Sequence, residues 1–403
     1  METGRAVLVA ERLNRAHLKF SLDEICTRGT SPLVHILLLN ERVDLGGSDG
    51  VGPGEFIVDD LMGAQLLSRA GGGRMKPVNE VDASTPTLEG MVGQTTNVLF
   101  MRAGGFGDLV LLTPVLREFK RLNPQTTVAV ATMPGYGQVL AGLPYVDEVI
   151  TYPVATEKLY QYEHWVFFEN AIERNAKARE VHMTDLFAEI AGVPFTETTD
   201  RKAEYRVSAQ EAVWANVAYP RINGTRRVAI QVGASALCRV YPRPLLGQVV
   251  ATLLKDGWEV MLLGAKGEVT LPGQNPPNLK NLSEHDLTFR QSCAVVNGAD
   301  VFLGGDSALL HVAGALGVPA VGLYAPFPWQ LRTAYAPTTH ALTGNLGCSP
   351  CFHHPNPARR NWFPDHCPTK TKGFCGALAE IKPERIVSLV QKVARNLGDI
   401  VLP

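Results

Sequence analysis

With 403 residues, 45% of them hydrophobic and 19% charged, the chain is long enough for two or three domains of ordinary globular character. A formal net charge of −1 supplies no global attraction for nucleic acid or another polyanion. No apolar run reaches the roughly 18 residues needed to cross a bilayer, Glu11, Asp23 and Glu24 interrupt any signal-peptide core, and seven cysteines do not make a disulfide scaffold at this length. The composition predicts a cytoplasmic protein with no transmembrane segment and no nucleic-acid partner.

Residues 1–95 hold one apolar run, Leu33 to Leu39, that reads as a strand. The glycine-rich patches Gly46 to Gly54 and Gly71 to Gly73 and the polar stretch Asn79 to Thr87 read as breaks and a linker. A small accessory N-terminal domain is expected here. From Asn97 the pattern alternates. Val98 to Met101 is a strand. Leu109, Leu112, Leu116, Phe119 and Leu122 then recur at helical spacing until Asn123-Pro124 stops the helix. A strand at Thr127 to Ala131, a short helix at Gly135 to Leu140 and a strand at Val146 to Thr151 complete a parallel, doubly wound domain over 96–220.

A second unit of the same kind is expected over 221–382. Its strand Arg227 to Val232 leads into the turn Gly233-Ala-Ser, a helix over Leu245 to Lys255 and a strand at Glu259 to Leu263. Strand Val301 to Leu303, helix Ser307 to Leu316 and strand Ala320 to Leu323 repeat the alternation. Residues 383–403 read as a closing amphipathic helix, with Ile386, Leu389, Val390, Val393 and Leu397 on one face, Pro383 near its start and Gly398 just past its end. The fold class is therefore α/β, two Rossmann-like doubly wound domains facing a cleft, plus the small N-terminal domain.

Three strand-to-helix turns can carry chemistry. In the first, Gly104, Gly105 and Gly107 allow a tight turn and close approach to a ligand, and Asp108 follows at the mouth of the helix. A carboxylate there can accept the proton of an attacking hydroxyl, or it can simply cap the helix. In the second, Gly304-Gly-Asp-Ser-Ala-Leu-Leu-His, the amides around Ser307 to Leu310 form a helix N-terminus suited to phosphates, with His311 as a further donor. The bland alternative is that Ser307 caps the helix and His311 only packs. In the third, Arg239 follows the Gly233 turn, either as a planar donor for a diphosphate or as a surface cation in a weak ion pair.

Together these segments resemble the ADP-heptose:lipopolysaccharide heptosyltransferase family of GT-B glycosyltransferases. Arg102-Ala-Gly-Gly-Phe-Gly-Asp-Leu-Val-Leu-Leu-Thr-Pro is similar to the family's opening motif, Pro144-Tyr-Val-Asp-Glu-Val-Ile to its following strand, and Asp306-Ser-Ala-Leu-Leu-His-Val-Ala-Gly-Ala-Leu-Gly-Val-Pro to its Asp-Ser/Thr-Gly-x-x-His motif. The resemblance runs from about residue 96 to the C-terminus. It implies that Asp108 is the general base, that the segment Ser307 to Leu310, including Ala308 and Leu309, holds the diphosphate of an ADP-sugar together with His311, that Asp306 belongs to the donor site, and that Glu268 lies by the nucleotide ribose. Arg239 stands where lysine is commoner, and the two differ in how they grip phosphate. Ala308 stands where glycine is expected. No catalytic metal is implied.

Cys348-Ser-Pro-Cys351, Cys367-Pro and Cys375 can supply four thiolates to one tetrahedral ion, zinc or iron, that pins a loop, with His353, His354 and His366 as spare ligands. Unpaired buried thiols are the alternative. The spacing is similar to that of the bacterial autotransporter heptosyltransferases, a protein-modifying branch with iron at such cysteines and an added N-terminal domain. The expected function is an inverting transfer of a sugar, foremost a heptose, from an ADP-sugar to a hydroxyl acceptor on a glycolipid or a protein, compatible with a homo-oligomer. The alternative is a non-catalytic nucleotide-sugar-binding or assembly protein of the same fold.

Overall fold

The computed structural model describes residues 96–159, 161–168, 175–271, 275–353, 363–364 and 366–395, together with the backbone of five N-terminal strands. Those strands are β1 (Val34–Leu39), β2 (Val43–Asp44), β3 (Gly50–Val51), β4 (Gly54–Asp59) and β5 (Gly73–Pro77). The chain forms two compact units, Met1–Arg201 and Lys202–Pro403.

In the first unit, β6 (Asn97–Met101), β7 (Thr127–Thr132), β8 (Glu148–Thr151) and β10 (His164–Phe167) make a parallel sheet in the order β10-β6-β7-β8. Val98, Leu99 and Phe100 are fully buried, as a strand covered on both faces requires. Helix α1 (Phe106–Leu122) buries Leu109, Leu112, Leu116 and Phe119 and takes Pro114 within its length. Its Phe119 ring meets Phe100 edge-on at 5.3 Å. Helix α2 (Met183–Ala191) docks beside it through Thr184, whose hydroxyl donates to the Leu111 carbonyl at 2.8 Å. Strand β9 (Val154–Ala155) leaves this sheet and pairs with β4, in a sheet ordered β5-β1-β4-β9.

The second unit is built on six parallel strands. They are β11 (Arg227–Gln231), β12 (Glu259–Leu263), β13 (Leu279–Asn281), β14 (Val301–Gly305), β15 (Ala320–Tyr324) and β16 (Thr339–Thr343), in the order β13-β12-β11-β14-β15-β16. This is the doubly wound pattern, and its order reverses between β11 and β14. Helix α3 (Ala209–Ala218) belongs to this unit. A reciprocal capping box between Ser208 and Glu211 starts it, and Arg290 grips the Glu211 carboxylate, holding its pKa down at about 2. Arg290 lies on α5 (Phe289–Asn297), which opens with a second capping box from Thr288 and Gln291.

Helix α4 (Arg243–Lys255) precedes α5, α6 (Ala308–Leu316) follows β14, and α7 (Pro383–Arg395) closes the core. Ile386, Val387, Val390 and Val393 are buried against Val249 and Leu253, with Leu389 partly buried. Leu397 and Gly398 lie outside the described residues.

Candidate active site

Both candidate sites sit where a parallel sheet changes direction, the place at which an open α/β sheet opens a crevice beyond its strand ends. In the first unit that point lies between β6 and β10. Arg102 leaves the end of β6, is 2% exposed, and donates through Nη1 to the Phe168 carbonyl just past β10 at 2.9 Å. Its Nη2 donates to Oδ2 of Asp108 at 2.7 Å. Asp108 stands in the first turn of α1, and its side chain is 24% exposed.

Asp108 is not the cap of its helix. Gly105 occupies that position and has no side chain with which to cap the helix. Of the three turn glycines, Gly104 is the one that geometry demands, because a Cβ there would lie 2.3 Å from Asp108 Oδ2 and 2.4 Å from Arg102 Nε. A Cβ on Gly105 would meet open space, and Gly107 falls inside α1. Tyr136 is a residue the sequence reading did not single out. Its ring packs on Phe106 at 4.3 Å, and its hydroxyl pKa is raised by burial and then by the nearby Asp108 charge.

In the second unit the crevice lies beyond β11 and β14. Ser307 donates its hydroxyl to Gln231 at the end of β11 and makes no capping bond to α6. The N-terminus of α6 therefore carries no side-chain cap, and its Ala308 and Leu309 amides begin the helix without one. The turn Leu237–Arg239 presses against β14 so closely that a Cβ on Gly305 would lie 2.3 Å from the Arg239 carbonyl oxygen. Asp306 is 4% exposed, with His311 Nε2 at 3.4 Å and Arg332 Nε at 3.5 Å. Burial would raise the Asp306 pKa, but Arg332, the His311 hydrogen bond and Arg239 overcome it and hold the carboxyl well below the usual range.

Arg332, absent from every motif read in the sequence, sits with its guanidinium 4.4 Å from the centre of the Phe327 ring, and Arg239 lies 5.4 Å from the same ring. Glu268 fills the space beside two glycines. One carboxylate oxygen accepts from the Ala265 amide at 2.9 Å, and a Cβ on Gly233 would lie 1.7 Å from the other. Arg243 stands 3.5 Å from it.

Cys348, Cys351, Cys367 and Cys375 are free, half-buried thiols. Cys351 feels Cys348 and Cys367, Cys375 feels Cys351 and Cys348, and burial raises the pKa of both Cys351 and Cys375. Among the described residues, no three cysteine, histidine or carboxylate side chains converge at metal-binding distance. His354 lies outside the described residues.

The cysteine segment reaches the Phe327 ring on which both arginines pack. Phe352, in the left-handed region at φ 52°, donates its amide to the Pro326 carbonyl at 2.7 Å and meets the Phe327 ring edge-on at 6.1 Å. Ser349 donates to the Ala325 carbonyl at 2.7 Å. Cys238, next to Arg239, is a buried thiol within electrostatic reach of Cys351 and Cys375, and burial pushes its pKa up to about 12.

Two doubly wound parallel sheets, each with a crevice at its switch point, make up a GT-B-like α/β fold. The profile of glycosyltransferase family 9 (heptosyltransferase) matches residues 160–361, half of the chain, and the chain belongs to that family. It is a glycosyltransferase, which sets aside the non-catalytic reading.

Among solved structures, the chain is similar to E. coli ADP-heptose lps heptosyltransferase II (TM-score 0.59, 15% identity, 75% of this chain and 100% of that one). It is also similar to the iron-containing dodecameric glycosyltransferase TibC from enterotoxigenic E. coli (TM-score 0.56, 16% identity, 91% and 92%). TibC has been solved in complex with ADP-D-beta-D-heptose, and that structure aligns with a TM-score of 0.55 at 16% identity over 91% and 93% of the two chains. Curated protein sequences give no significant match. Among the described residues no helix is long and apolar enough to cross a membrane.

Proposed function

We propose that this glycosyltransferase moves a heptose from an ADP-linked donor to a hydroxyl acceptor with inversion at the anomeric carbon. The observation that carries the donor half is the α6 N-terminus, uncapped by any side chain and flanked by Arg239 and His311. Unpaired amides, the helix dipole and a planar cation all favour a diphosphate. In this reading the acceptor oxygen attacks in line while Asp108 takes its proton, and Arg239 with the Ala308 and Leu309 amides stabilises the departing diphosphate. Glu268 lies by the ribose, and no metal ion is required at the donor. Adenine and heptose come from the family resemblance, supported by the ADP-D-beta-D-heptose complex of TibC.

For the acceptor we favour a protein serine or threonine over a lipopolysaccharide sugar. The cysteine spacing is similar to that of the protein-modifying branch, whose members also carry an added N-terminal domain.

Thermal unfolding with a panel of nucleotides tests the donor. ADP or ADP-heptose at 100 times its Kd is expected to add about 2.7 kcal/mol of stability, while UDP and GDP compounds at equal concentration add far less. A panel in which no nucleotide stabilises the protein overturns the reading. A serine-rich peptide and a lipid-core sugar, offered with the stabilising donor, then decide the acceptor.

We further propose that the four cysteines hold a structural iron or zinc ion that fastens the Cys348–Phe352 segment against Phe327. Elemental analysis of protein purified without added metal is expected to find close to one ion per chain, reduced together with the melting temperature in a Cys351→Ser variant. Protein that carries no metal and melts at the same temperature after treatment with a strong chelator sinks this assignment.

A further inference from the structure

The donor crevice holds more positive charge than its known carboxylate needs. Arg332 and Arg239 both bear on Asp306, with His311 beside them, so two permanent cations face one buried anion. The Arg332 side chain is 10% exposed and its Nε faces the Asp306 carboxylate at 3.5 Å, while the buried Arg239 Nε has no hydrogen-bond partner among the described residues. Buried donors left unmet cost stability and are rare in folded proteins unless a ligand meets them. Both guanidiniums pack on the single ring of Phe327, which limits their rotamers before any ligand arrives. The uncapped start of α6 follows Asp306 directly in the chain.

We propose that Arg332 is a second phosphate-binding arginine, paired with Arg239 on the Phe327 ring, and that Asp306 is a positioning residue that orients Arg332 and His311. The proposal rests on the donor reading above and deepens it. An anionic Asp306 would repel a phosphate, so its place in the motif is explained by what it holds. The ligand class is a diphosphate ester, whose non-bridging oxygens accept the planar donors that one lysine or arginine cannot serve alone. The competing role for Arg332 is plain neutralisation of Asp306.

The two roles separate in the ratio of affinities for a nucleoside diphosphate and its parent nucleoside, measured by calorimetry on the full chain. Adenosine and ADP serve as probes, or guanosine and GDP, or uridine and UDP, if those are what the wild type binds. In Arg332→Gln the diphosphate-to-nucleoside preference is expected to fall roughly 10- to 100-fold while nucleoside affinity stays at the wild-type level. Arg332→Lys keeps a cation beside Asp306 and so preserves the fold if the glutamine variant does not; its preference is expected to fall between the two. A wild-type preference in whichever variant folds overturns the proposal and leaves Arg332 as the counter-ion of Asp306. A wild-type protein that itself shows no diphosphate preference for any base points instead to failure of the donor reading.

Discussion

Replacing Asp108 by asparagine is expected to lower turnover by about 10²- to 10⁴-fold while leaving the affinity for the nucleotide donor within a few-fold of wild type. The amide has the shape of the carboxylate and still offers an oxygen to Arg102 Nη2, which now stands 2.7 Å from Oδ2. What it lacks is the negative charge that would take the acceptor's proton. The residues proposed to bind the donor, Arg239 and the α6 N-terminus, fall within the other compact unit, Lys202–Pro403. The effect should therefore appear in kcat with donor saturating and not in the calorimetric Kd for ADP. Turnover within tenfold of wild type would remove Asp108 from the chemistry. The pair with Arg102 also explains the expected selectivity of neighbouring changes. A methyl group at Gly104 would collide with both partners, so Gly104→Ala should lose activity alongside D108N, whereas Gly105→Ala meets open space.

The largest stability effect is expected at the opposite end of the second sheet. Arg227 and Glu259 are register partners at the start of β11 and β12, 3% and 1% exposed, joined by bonds of 2.8 and 3.0 Å. Arg227 also donates to the Tyr219 carbonyl at 2.9 Å, tying the end of α3 to the sheet. Arg227→Met leaves a carboxylate buried without its counter-ion, which costs about 3–5 kcal/mol. Adding Glu259→Leu removes the orphaned charge and is expected to restore a large part of that loss, because a buried ion pair is worth little more than well-packed apolar groups of the same volume. Urea midpoints of the two variants measure the difference. Equal midpoints for the single and the double variant would mean that the carboxylate escapes to water. Both changes lie at the strand starts, away from the strand ends that lead to Asp306 and the α6 N-terminus, so turnover per folded molecule should be unchanged in the double variant.

Much of this protein is legible without coordinates because it is locally encoded. The 3.6-residue spacing of Leu109, Leu112, Leu116 and Phe119, the apolar runs of β6, β11 and β12, and the glycines at strand ends are each contained in a short window. They are enough to place α1, the parallel strands and Asp108 at a helix mouth. Ser208-x-x-Glu211 and Thr288-x-x-Gln291 are capping boxes visible in the sequence, and they start α3 and α5. The short strand β10 carries too few residues for periodicity to speak.

Other features depend on which strands become neighbours. The order β13-β12-β11-β14-β15-β16 brings Gln231 to Ser307, and so turns an expected cap into a bond across the switch point that leaves the α6 amides uncapped. The same order puts Arg332 and Arg239 on one Phe327 ring beside Asp306, though the three come from separate segments. On the first unit, only the β6–β10 pairing sets Phe168 where it can hold Arg102 against Asp108. Residue type and spacing determined which groups could do chemistry. Long-range strand pairing decided which of them meet, because hydrogen bonds and ion pairs act over a few ångströms and chain distance carries no record of that.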